Sequence, residues 1–81
     1  MRKSPVVVNR GARSLCVELA RVVADAPMEY QMARLIARLG AIDYETADAA
    51  IAFAIQQGWL TGEGEPPHSI CLTDSGRNLA K

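Results

Sequence analysis

The side chains that could do chemistry in this chain are few, and their spacing excludes more than it offers. His68, the only histidine, stands directly after Pro66 and Pro67, and no serine or cysteine has an identifiable base near it. Cys16 and Cys71 lie far apart among apolar neighbours, without the Cys-x-x-Cys spacing of a metal or redox site. They read as two buried thiols acting as small hydrophobes. Glu45 and Asp48 are three residues apart and could pair on a helix, yet no nucleophile or second base accompanies them. His68 with stray carboxylates or thiols is too small a set to hold zinc. Phosphate-loop and dinucleotide patterns are missing, and Gly62-x-Gly64 alone has no meaning. The sequence therefore predicts no catalytic residues, no cofactor, no metal and no small-molecule substrate.

What remains is charge. Nine lysines and arginines balance nine aspartates and glutamates, but the balance is uneven along the chain. Residues 1–38 carry Arg2, Lys3, Arg10, Arg13, Arg21, Arg34 and Arg38 against Glu18, Asp25 and Glu29. From Leu39 to Gly76 there is no lysine or arginine, while Asp43, Glu45, Asp48, Glu63, Glu65 and Asp74 all fall there. A positive front half suits phosphate contacts; a negative back half repels them.

The elements that must position these groups follow from periodicity. At 81 residues the chain is one domain near the lower limit for a self-sufficient core, where dimerisation commonly helps. Residues 1–12, with a proline, a glycine and several basic residues around Val6, Val7 and Val8, read as an arm. That arm is either a disordered terminus or a segment that joins a sheet or reaches a partner. Its apolar run is too short for a signal-peptide core or a membrane span, so the chain reads as cytoplasmic.

The domain proper is predicted over 13–81. Ser14 is a candidate N-cap for a first helix carrying Leu15, Leu19, Val22, Val23 and Ala26 on one face and ending at Pro27. A second helix uses Met28, Met32, Leu35, Ile36 and Leu39 as its stripe, closed by a left-handed Gly40. Asp43 can cap a third helix that runs to about Gln57 with Ala47, Ile51, Ala54 and Ile55 inward, stopped by Gly58. Residues 59–61 and 69–73 read as the strands of a hairpin around the Gly62–Pro67 turn. Thr73 or Asp74 caps a last short helix. The fold class is mainly α with a small antiparallel β-wing, of two strands or of three if the arm joins.

This order of elements resembles the winged helix-turn-helix superfamily. The residues that carry the resemblance are Leu39-Gly40 at the turn, Gly58-Trp59-Leu60 after the third helix, and Leu72-Thr73-Asp74-Ser75-Gly76-Arg77. The last string is similar to the Leu-Thr-x-x-Gly-Arg ending of many bacterial regulators with this fold. The resemblance covers about residues 13–80 and implies a three-helix core, a β-hairpin, a short C-terminal helix and a transcription-regulator-like, DNA-associated role. In DNA-binding relatives the third helix enters the major groove. Taking Ile51 as inward, about 100° per residue turns Glu45, Thr46, Ala49, Ala52, Phe53 and Gln56 outward. Only Thr46 and Gln56 of these could read a base. Groove insertion of this acidic helix, or of a wing tip bearing Glu63 and Glu65, is expected to be repulsive.

Two functional readings follow. In one, double-stranded DNA is held by Arg2, Lys3, Arg10 and Arg13 together with Arg34 and Arg38, one turn apart on the second helix; the bland reading of those two arginines is a solvated face. In the other, Ala49, Ala52, Phe53 and Gln56 form an interface with a second copy or another protein. Phe53 points about 200° from Ile51, so a strand, the first helix or another chain must cover it. Trp59 reads as a core anchor.

Overall fold

The first helix starts well before Ser14. The computed structural model describes residues 5–22, 26–40, 42–64 and 67–79; Arg2, Lys3, Val23, Asp25, Ala41, Glu65, Pro66 and Lys81 lie outside them. In chain order the elements are α1 (Pro5–Val22), β1 (Met28–Glu29), α2 (Tyr30–Leu39), α3 (Tyr44–Gln56), β2 (Leu60–Glu63), β3 (Ser69–Leu72) and α4 (Asp74–Asn78). The chain is mainly helical with one small antiparallel sheet.

Residues 5–12 of the expected arm are thus helix. Pro5 opens α1, where its missing N–H and fixed φ cost nothing. Three consecutive valines disfavour a helix locally, yet the buried face of α1 continues upstream through Leu19, Cys16, Leu15, Ala12 and Gly11. Burial accounts for the helix from Gly11 onward, while Val6 and Val7 stay exposed in its first turn. Gly11 sits in the helix interior, where a methyl at its Cα would meet Thr46 Cγ2 at 3.6 Å, Ala50 Cβ at 3.7 Å and Ile42 Cδ1 at 3.9 Å. Those are ordinary contacts, so Gly11→Ala is expected to stabilise the fold by about 0.5–1 kcal/mol, seen as a rise of a few degrees in melting temperature.

The buried face of α2 also differs from the predicted stripe. Ala33, Ile36 and Ala37 are buried, whereas Met32, Leu35 and Leu39 are 51%, 48% and 88% exposed. The short alanine side chains let α2 lie close to its neighbours and leave the longer ones at its outer edge. Gly40 closes α2 at φ −87°, outside the left-handed region. The left-handed closure belongs to α3 instead: Gly58 has φ +80°, its N–H reaches the Ile55 carbonyl at 3.1 Å, and the Trp59 N–H reaches Ala54 O at 2.9 Å. These crossing bonds satisfy the end of the helix and reverse the chain.

The sheet order is β1-β3-β2. In the hairpin Leu60 faces Leu72 and Gly62 faces Ile70, while Met28 faces Ile70 from the other side. The third strand therefore comes from the residues after Pro27 and not from the arm. Leu15, Leu19, Ile51, Leu60 and Ile70 are the largest side chains closed off from solvent, and α1 against α3 is the most extensive contact between elements. Cys16 is buried among them, and that burial pushes its thiol up to about 11; Cys71, in β3, is only half-buried, and neither forms a disulfide.

The string from Leu72 to Arg77 locks the hairpin to the end of α3. Thr73 caps α4: its Oγ accepts from Gly76 N–H at 3.1 Å and donates to the Gly58 carbonyl at 2.6 Å. The Thr73 N–H donates to Trp59 O at 3.0 Å. Arg77 donates to Leu72 O at 3.3 Å and pairs with the Asp74 carboxylate. Among the described residues no helix is long and apolar enough to cross a membrane.

Candidate nucleic-acid interface

Of the arginines expected to meet phosphate, Arg10 and Arg13 lie on the outward side of α1, less than one turn apart and both exposed. Arg13 is held in place: its Nε donates to Asn9 Oδ1 at 3.1 Å, and its guanidinium lies 5.7 Å from the centroid of Trp59. Arg10 borders a cleft of about 340 Å³ between α1 and the α2–α3 turn, together with Ser14, Gly40, Asp43 and Thr46. Neither arginine forms an ion pair with a described residue.

Arg34 and Arg38 have different roles. The Arg34 Nε lies 3.0 Å from Asp48 Oδ1 across the α2–α3 contact. That N–H is poorly aligned with the oxygen, so the buried Nε is ion-paired without a true hydrogen bond. Arg34 Nη1 donates to Gln31 Oε1 at 3.0 Å, and its guanidinium stands 4.6 Å from the Tyr44 ring centroid. Its charge is therefore spent inside the fold. Arg38 is exposed, stands 5.7 Å from the same ring and pairs with no described carboxylate.

Tyr30, which the sequence did not single out, completes the clamp by donating its hydroxyl to Asp48 Oδ1 at 2.9 Å. Burial first, then the hydrogen bond and negative charge of Asp48, push the phenol from its ordinary 10.0 up to about 12, against the lowering effect of Arg34. The folded chain holds this proton more tightly than the unfolded chain does. Its contribution to stability is thus complete below pH 10 and fades as pH rises towards 12. The melting-temperature gap between wild type and Tyr30→Phe is expected to close across that alkaline window and to stay constant at neutral pH.

The third helix presents a different face from the predicted one. Thr46 is only 6% exposed and belongs to the core, so it cannot read a base. The inward direction is set by Ala47, Ala50, Ile51 and Ala54 together, which rotates Thr46 in. Its backbone N–H donates to Asp43 Oδ1 at 2.7 Å, the expected N-cap. Ala52 and Gln56 are exposed and Ala49 is half-buried. Phe53 is half-buried as well, its ring edge-on to Trp59 at 5.7 Å and 65°. Trp59, three residues beyond the end of α3, thus packs against it from within the chain. Asp48 is paired to Arg34, and the exposed acids of this side are the capping Asp43, Glu45 on α3 and Glu63 on β2.

His68 is exposed in the hairpin connection, and among the described residues no group of three or more His, Cys, Asp or Glu is placed to hold a metal ion. No family model, curated protein or solved structure matches the chain.

Proposed function

We propose that the chain is a winged-helix domain that associates with nucleic acid through the exposed arginines of α1 and the end of α2, with the outward face of α3 around Ala52 and Gln56 turned away from the groove. Three helices followed by a hairpin support the fold reading. So do the roles of Gly58-Trp59-Leu60 and Leu72–Arg77, which meet each other through Thr73. The observation that carries the functional reading is the split in surface charge. Arg10, Arg13 and Arg38 are exposed without described ion pairs, while α3 and β2 offer Glu45 and Glu63.

Each phosphate neutralised releases a counterion and adds about 0.9 to the slope of log affinity against log salt. Titration of a duplex at several salt concentrations is expected to show that slope fall by about 2 in the Arg10→Ala/Arg13→Ala double variant. An unchanged slope would remove α1 from the interface.

One observation favours a second reading, protein association. Met32, Leu35 and Leu39 form an exposed apolar stripe along α2, which supports an interface on that face. A light-scattering mass that rises with concentration in wild type but not in Leu39→Asp would support it.

A further inference from the structure

We propose that Tyr44, with Arg38 beside it, is a stacking platform for an unpaired base, so that single-stranded nucleic acid is the preferred partner of this surface. The inference rests on the reading that the α1–α2 arginines hold a polyanion and adds the form of that polyanion. Tyr44 is the first residue of α3 and is 41% exposed. An aromatic ring normally buries most of its area, whereas this one stays exposed with Arg34 and Arg38 over it. Arg34, pinned by Asp48 and Gln31, holds its guanidinium 4.6 Å from the ring centroid. The ring is thereby fixed before any ligand arrives, which lowers the ordering cost of binding.

Arg38 supplies the other half. It lies 5.7 Å from the same ring, is exposed, and forms no ion pair with a described residue. A planar aromatic surface beside a cation that pairs with no described carboxylate is the chemistry that single strands use, with bases stacking on the ring or guanidinium plane and the cation meeting phosphate. A duplex keeps its bases stacked on one another and cannot offer one to Tyr44 without unpairing it. The arginines alone would serve either form; the ring distinguishes them.

The test is fluorescence anisotropy with a labelled oligothymidylate and a duplex of equal length at low salt. The proteins are wild type, Tyr44→Phe, Tyr44→Leu and Arg10→Ala/Arg13→Ala, each with its melting curve. Tyr44→Leu is expected to weaken strand binding about tenfold and duplex binding less than about twofold, while Tyr44→Phe, which keeps the ring, changes neither by more than about twofold. In wild type the Tyr44 ring protons are expected to shift upfield as the strand is added, a readout that needs no variant. Equal losses on strand and duplex, tighter duplex binding, or a silent Tyr44 ring would overturn the stacking role. Should the arginine pair control all binding and Tyr44 none, only this inference falls; if neither nucleic acid binds wild type, the nucleic-acid reading falls with it.

Discussion

Gly76→Ala is expected to lower the melting temperature by about 10 °C or more, among the largest effects of any single methyl in the chain. A Cβ at this position would collide with the backbone carbonyl oxygen of Trp59 and stand 2.7 Å from Leu72 Cδ1 and 3.1 Å from the Trp59 carbonyl carbon. A flexible side chain could swing aside, but the Trp59 carbonyl cannot, because it accepts the Thr73 N–H. Relief requires α4 to lift away, which breaks the Thr73 cap and the bond from Arg77 to Leu72 O. Overpacking of this kind costs about 2–3 kcal/mol, a large fraction of the stability of a domain this small. Gly58→Ala is the informative contrast. That residue has φ +80° but nothing within 4 Å of the added methyl, so only the left-handed strain remains, about 1 kcal/mol. Thermal melts of the two variants side by side check both figures. Equal losses would mean that close approach of α4 is not what Gly76 provides.

Ala50→Leu is expected to be comparably damaging, at about 2–3 kcal/mol by chemical denaturation. Ala50 is 1% exposed in the face that α3 turns towards α1. Its neighbour there is Gly11, at whose Cα a new methyl would already lie 3.7 Å from the Ala50 Cβ. The space between these helices admits one more methyl but not an isobutyl group. The pair is therefore expected to be non-additive: Gly11→Ala stabilises the wild type and destabilises Ala50→Leu further. If leucine at 50 is accepted without loss, α1 and α3 lie further apart than described.

Much of the architecture was legible because its signals are local. Asp43 as cap, Gly58 as stop, the strand pairing around the Gly-Pro turn and Thr73 as cap each depend on neighbouring residues. The misreadings share a cause in packing. Periodicity weighs large apolar side chains, whereas α2 buries Ala33 and Ala37 and leaves Leu39 outside. Thr46 counts as polar by type, yet its methyl packs close to Gly11. The start of α1 was hidden by a valine run and a glycine whose helical state is decided by α3. At the candidate interface Arg10 and Arg13 were legible as basic residues of the front half, but not as neighbours on one helix face. The Arg34–Asp48–Tyr30 clamp joins residues up to 18 apart and left no trace in it. That clamp pairs Arg34 with Asp48 and leaves Arg38 beside Tyr44 without a described carboxylate partner.

Backbone amide shifts followed during titration with an oligonucleotide test the central claim most directly. The account predicts that residues 10–14 of α1 and 38–44 around the α2–α3 turn move first, and that Ala52, Gln56 and the hairpin around Glu63 stay in place. Movement of α3 and the hairpin with α1 silent would contradict it.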